Sequence, residues 1–184
     1  HNMAIWMVSK FGSEELKTEW FPQLSSGEKL ASYCLTEPGS GSDSASLRTT
    51  AKKDGDNFIL NGSKAFISGS GATDCLVLMA RTGDSGAKGI SCFLIPADLP
   101  GIEYGKNEPK MGWKNQPTRL VSLTDVKVSK KNLVGEEGNG FVGDFGYFST
   151  CGVPFVFLFC FWWVIDCKVS IVSSFESCLN SYWI

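Results

Sequence analysis

Two runs, Cys75-Leu76-Val77-Leu78-Met79-Ala80 and Gly89-Ile90-Ser91-Cys92-Phe93-Leu94-Ile95, constrain the fold more than any other part of the chain. Each has the length of a strand, each is apolar at nearly every position, and the loop Gly83 to Gly86 separates them. A strand with one wet face alternates polar and apolar residues, so a strand without alternation is buried on both faces. Shorter runs surround this pair. Ser32-Tyr33-Cys34-Leu35 is apolar, and Leu47 to Lys53 alternates loosely before Asp54-Gly55, a strong turn dipeptide. Asn57-Phe58-Ile59-Leu60 meets Asn61-Gly62, and Ala65-Phe66-Ile67 follows; turn chemistry predicts a hairpin there. Leu120 to Val128 gives a last strand, apolar at Leu120, Val121, Leu123, Val126 and Val128. Short strands with regular turns predict a mainly β fold, a small barrel or sandwich.

Residues 1–30 read as helical. Met3, Ile5, Trp6, Met7, Val8 and Phe11 belong to one helix, with Gly12 as its C-cap. Ser13 suits the N-cap of a second helix, with Glu14 and Glu15 at its positive dipole end and Pro22 as its stop. A hydrophobic content of 43% with 20% charge is that of a globular chain, and a net charge of −2 offers no basic face to nucleic acid or anionic lipid. No two of the seven cysteines are spaced as CxxC and His1 is the sole histidine, so no metal site is expected; the cysteines read as free thiols, Cys34, Cys75 and Cys92 buried. No secretory signal or transit peptide is visible.

Taken singly, the remaining motifs are bland. Gly39-Ser40-Gly41-Ser42 would be a turn; it is not a GxGxxG loop, because Ser44 stands where the last glycine belongs. Phe66 alone would be a core aromatic, and the acid pair Glu37 and Asp43 would cap turns or lie on the surface. Order and spacing change that reading. Phe11-Gly12-Ser13-Glu14-Glu15-Leu16-Lys17 precedes Leu35-Thr36-Glu37-Pro38-Gly39-Ser40-Gly41-Ser42-Asp43, then Asn61-Gly62-Ser63-Lys64, Lys110-Met111-Gly112-Trp113 and Leu133-Val134-Gly135-Glu136-Glu137-Gly138-Asn139-Gly140-Phe141. In this series residues 1–142 resemble the acyl-CoA dehydrogenases throughout, and within the family His1-Asn2-Met3, Lys64 to Gly69 and Gly112 to Arg119 are most similar to the branch acting on isobutyryl-CoA.

The resemblance implies an FAD-dependent enzyme that removes an α proton and a β hydride from a short branched acyl-CoA, in valine catabolism, and passes electrons to electron-transferring flavoprotein. It implies a homotetramer in the mitochondrial matrix. Residues 1–30 would be the end of an N-terminal helical domain, 31–128 the middle β domain, a β-barrel, and 129–142 the start of a link to a C-terminal helical domain. The cofactor-binding residues implied are Tyr33, Cys34, Leu35, Thr36, Glu37, Pro38, Gly39, Ser40, Gly41 and Ser42, with Ser42 also touching the substrate, and Phe66, Ile67 and Ser68. The last three stand where the family usually has Trp-Ile-Thr, keeping an aromatic plane and a hydroxyl. The chemistry is coherent: a flavin needs an apolar face and donors along its polar edge, and glycines let backbone amides approach a phosphate.

Residues 143–184 depart from the family. From Phe145 to Ile165 there is no charge, and Val153 to Ile165 is almost wholly apolar, shorter than the roughly twenty residues of a membrane-spanning helix, so no membrane span is expected. This atypical apolar tail reads as translated non-coding sequence and carries no glutamate base in a family position. The chain alone is therefore expected not to turn over acyl-CoA and to bind FAD weakly or not at all. Three other readings stay open: another short- or branched-chain acyl-CoA dehydrogenase, a non-catalytic truncated β module that binds partner subunits, and a membrane-tethered fragment held by residues 145–165.

Overall fold

A computed structural model describes residues 1–140 of the chain. Two helices open it, α1 (Asn2–Phe11) and α2 (Glu14–Ser26). Ala4, Met7 and Val8 bury one stripe of α1, and Leu16, Trp20 and Leu24, four residues apart, bury one stripe of α2. Ser13 Oγ accepts from the Leu16 amide at 3.2 Å and so supplies the cap its position promised. Gly12 ends α1 in an extended conformation, not a left-handed one. A Cβ there would lie 2.5 Å from the Val8 carbonyl oxygen, so glycine is needed for room. Pro22 does not stop α2, which runs on to Ser26 and ends at Gly27 with φ 76°. Proline removes one amide donor, and both Pro22 and Thr18, whose carbonyl would have received it, are exposed, so water can serve that oxygen.

Eight strands follow: β1 (Ala31–Cys34), β2 (Thr50–Asp54), β3 (Asn57–Ser68), β4 (Cys75–Arg81), β5 (Ile90–Pro96), β6 (Ile102–Tyr104), β7 (Thr118–Ser129) and β8 (Leu133–Val134). They form one sheet in the order β6-β7-β3-β2-β4-β5-β8, with β1 also against β4. β5 pairs antiparallel along the whole of β4, from Cys75↔Pro96 to Arg81↔Ile90. The opposite edge of β4 is shared: β1 lies parallel to Cys75 through Leu78, and β2 meets it in parallel at Thr50↔Arg81.

The two apolar runs are buried on both faces. Cys75, Val77 and Met79 belong to a cluster with Ala4, Met7, Val8, Leu16, Trp20 and Leu24 of the helices. Leu76, Leu78 and Ala80 belong to another, with Phe58, Leu60, Phe93, Ile95, Val121, Leu123, Val126 and Val128. In that second cluster Phe58 meets Phe93 edge to face at 5.2 Å. Cys34, Cys75 and Cys92 are buried free thiols, and burial pushes Cys34 and Cys75 up to about 12. Cys151, Cys160, Cys167 and Cys178, and the apolar run 145–165, lie outside the described residues; among the described ones no helix is long and apolar enough to cross a membrane.

The hairpin expected at Asn61-Gly62 is not there. β3 passes straight through both residues, and the tight turn is Gly55-Asp56, closed by Asp54↔Asn57. Between Leu60↔Val126 and Gly62↔Leu123, Asn61 faces two residues of β7, Thr124 and Asp125. Asn61 uses its amide to hold that bulge: Nδ2 donates to Asp125 Oδ1, and the Asp125 amide donates to Asn61 Oδ1, both at 2.9 Å. Asp125 has φ 48°, which shifts the alternation of β7 from Val121/Leu123 to Val126/Val128. Gly62 has φ 151°, and a Cβ there would lie 2.5 Å from Thr49 Oγ1 and 2.7 Å from Thr49 Cα. The stretch read as a link after residue 129 is partly sheet: β8 pairs with β5, and the Gly135 amide donates to the Phe11 carbonyl at 2.8 Å.

Gly62→Ala should cost about 2–3 kcal/mol, combining overpacking with an unfavourable φ. Gly112→Ala, with nothing within 4 Å of its Cβ, should leave the urea midpoint unchanged.

Candidate functional site

At Cys34 the chain leaves the edge of β4, and it returns at Thr50. The excursion between, Leu35 to Thr49, contains most of the candidate residues. Where it departs, the second half of β3 lies alongside, and the Ala65 amide donates to the Thr36 carbonyl at 2.8 Å. The two segments that the sequence places far apart are thus in direct contact.

Glu37 holds the excursion closed. Its carboxylate accepts from the amides of Arg48 at 2.6 Å and Thr49 at 2.9 Å, at the far end of the loop. It also pairs with Lys64 Nζ at 2.8 Å, and that ammonium donates to the Leu35 carbonyl at 3.1 Å. The pair is buried, with side-chain exposures of 0% for Lys64 and 6% for Glu37. Burial pushes the Glu37 carboxyl up, but the Lys64 charge and its hydrogen bonds outweigh this and hold it below the ordinary carboxylate range. Burial draws the Lys64 ammonium down, with Glu37 opposing. Glu37 and Asp43 are therefore not an acid pair: Asp43 is exposed and receives the Ser46 hydroxyl.

Beside this lock, β3 bulges. Between Lys64↔Val121 and Ile67↔Arg119, Ala65 and Phe66 face the single residue Leu120. Phe66 adopts φ 57°, a conformation that costs a β-carbon residue about 1–2 kcal/mol, and its ring is 67% exposed. Phe66 is not the core aromatic it would be if taken alone: the bulge turns it out of the strand alternation. Strain of this kind, held in place by surrounding structure, points to a working surface.

The other candidates divide. Pro38, Gly39, Gly41, Ser42 and Ser68 are exposed, and Tyr33, Leu35 and Thr36 are half-buried. Cys34 and Ile67 are in the core, Glu37 is locked to Lys64, and the Ser40 hydroxyl donates to the Asp43 carbonyl. The side chains of these four are engaged within the protein, which leaves their backbone to face a ligand. Gly39 and Gly41 have neither a positive φ nor any atom within 4 Å of a Cβ, so nothing in the described chain requires glycine there. The bare backbone leaves room for a flat or charged group to approach, which is the condition a flavin nucleotide would need. Arg119, opposite Ile67, keeps a buried Nε without a hydrogen-bond partner, a further donor beside the same bulge. Lys64 stands in the motif Asn61-Gly62-Ser63-Lys64 but is not among the expected site residues; its further signal is a charge beside the apolar run Ala65-Phe66-Ile67.

Phe66→Gly should hold stability within about 1 kcal/mol of the parent, since strain relief offsets glycine's entropy, whereas truncating a core aromatic costs about 3–5 kcal/mol. Thermal denaturation separates the two. Glu37, with its pKa lowered on folding, stabilises the fold above the ordinary carboxylate pKa of about 4.3 and loses that contribution as pH falls through its folded value. Glu37→Gln should lower the melting temperature at neutral pH and flatten its fall between pH 5 and acid, measured by calorimetry.

Residues 32–126 match the family model "Acyl-CoA dehydrogenase, middle domain". The chain is 54% identical over 142 residues to isobutyryl-CoA dehydrogenase, mitochondrial, of Dictyostelium discoideum, and 53% identical to that of Bos taurus, covering 77% of this chain and 34% of each relative. Butyryl-CoA dehydrogenase from Megasphaera elsdenii superposes with a TM-score of 0.74 at 38% identity, covering 77% of this chain and 37% of that one. The chain thus spans about a third of the length of the curated relatives it matches. On the family match, over more than half of its residues, and on the fold that places the motifs side by side, the chain belongs to the acyl-CoA dehydrogenase family and contains its middle domain.

Proposed function

We propose that this chain supplies the flavin platform of an FAD-dependent dehydrogenase that oxidises isobutyryl-CoA to its 2-enoyl thioester in the mitochondrial matrix. The observation that carries the reading is the strained, exposed Phe66 beside the open glycine loop Gly39-Ser40-Gly41, in a chain 53–54% identical to two mitochondrial isobutyryl-CoA dehydrogenases. Bound FAD would supply the hydride acceptor. The chain's own residues would bind and orient it. Phe66 would cover one face and exclude water, Ser68 would offer a hydroxyl near the reacting edge, and the backbone from Tyr33 to Ser42 would offer carbonyls and amides along the polar edge. Ser42, exposed at the end of the loop, would also meet the pantetheine arm of the thioester.

The complete protein would assemble as a homotetramer and hand electrons to electron-transferring flavoprotein. A short branched acyl group is favoured over a straight chain by the identity figures, 53–54% against 41% for short-chain specific acyl-CoA dehydrogenase of Rattus norvegicus.

A chimaera tests this, in which residues 1–140 replace the matching segment of the bovine isobutyryl-CoA dehydrogenase. It should purify yellow and reduce an electron-accepting dye faster with isobutyryl-CoA than with butyryl-CoA. A folded but colourless tetramer would overturn the flavin platform, and a preference for butyryl-CoA would overturn the substrate.

A further inference from the structure

We propose that Lys64 is a positioning residue, clamping the Leu35–Thr49 excursion onto the Ala65–Phe66 bulge so that the two halves of the platform move as one body. The inference rests on the flavin reading above and goes beyond it, since Lys64 itself is wholly buried and its ammonium is engaged by the Leu35 carbonyl and the Glu37 carboxylate.

The geometry makes Lys64 a junction. It stands on β3 directly before the bulge, paired with Val121. Its ammonium reaches across to the Leu35 carbonyl and the Glu37 carboxylate. Glu37 in turn receives the Arg48 and Thr49 amides, so one charge on β3 governs both ends of the loop. The Ala65–Thr36 bond, one residue on, completes a cross-link between the two segments. A backbone with φ 57° at Phe66 relaxes unless its neighbours fix it, and Lys64 and Ala65 are the neighbours that are fixed.

A buried ion pair adds little net stability, because desolvation offsets the Coulomb gain, and well-shaped neutral replacements are often tolerated. What this pair contributes is therefore geometry, and the two roles separate experimentally. In the chimaera that carries residues 1–140, where the flavin has its full surroundings, the double variant Glu37→Gln/Lys64→Met removes both charges and keeps an amide acceptor. Its denaturation midpoint should stay near that of the parent. Amide hydrogen exchange at Arg48, Thr49 and Ala65 should rise at least tenfold, while Leu78 and Phe93 in the sheet keep their rates. Affinity for FAD, read by flavin fluorescence, should fall at least tenfold.

Uniformly faster exchange at all five amides would make the pair merely structural and overturn the proposal. So would unchanged exchange at Arg48 and Thr49, or faster exchange with unaltered FAD affinity. Should neither parent nor variant bind FAD, the flavin reading of this chain fails, and the clamp then stands or falls on the exchange rates alone. The single variant Lys64→Met serves as a second check. It leaves the Glu37 carboxylate buried without a cation, so local protection, measured against the base-catalysed intrinsic exchange rate, should fall as pH rises above the carboxylate range, a fall that the double variant should lack.

Discussion

The described structure turns on one edge of β4. Along its other edge β5 pairs without interruption, but here β1 ends with Cys34 opposite Leu78 and β2 begins with Thr50 opposite Arg81. Two strands laid end to end against one leave a gap, and a chain that must cross it cannot do so inside the sheet. It leaves as the Leu35–Thr49 excursion. The site is thus a product of topology before it is a product of side chains: a strand buried on both faces fixes the frame, and the interruption along its edge creates a loop whose position is rigidly defined at both ends.

A loop of that length on a rigid frame is a natural place for binding residues, but it has to be held down. Hydrophobic burial does this at Leu47, and charge does the rest. Lys64 and Glu37 lie 27 residues apart and meet where the excursion leaves the sheet. Placing charge there rather than more apolar surface keeps the outward residues, Gly39, Gly41 and Ser42, free of packing.

Much of this was legible from local pattern. β4 and β5 were visible because continuous apolar runs have one explanation, Gly55 because a two-residue turn wants a positive φ, and Ser13 because its hydroxyl needs only the amide three residues on. The failures share a cause, which is a partner distant in sequence. Asn61-Gly62 has the composition of a turn, yet Asn61 is held by Asp125 and Gly62 is pressed by Thr49, so the pair serves a bulge. β6 and β8 are too short to show a period and exist as strands because β7 and β5 offer them edges. Pro22 was read as a stop because the exposure of its ring and of Thr18 depends on how α2 lies on the core. Of the candidate site, the segments, their chemistry and the burial of Cys34 could be read in order; the burial of Ile67 and the pairing of Lys64 with Glu37 could not.

Phe66 and the loop glycines carry the same argument in opposite ways. Glycine is ordinarily found where a chain needs a positive φ or a close approach, and Gly39 and Gly41 meet neither condition within the described residues. A bulky residue ordinarily avoids a positive φ, and Phe66 has one, on an exposed ring. Each choice works against folding alone: glycine spends backbone entropy without structural return, and Phe66 sits in a strained well without burying its ring. The planar group proposed for this site would account for both, since it needs bare backbone on one side and an aromatic face on the other. The residues that fit the fold worst are those on which the proposed flavin platform depends.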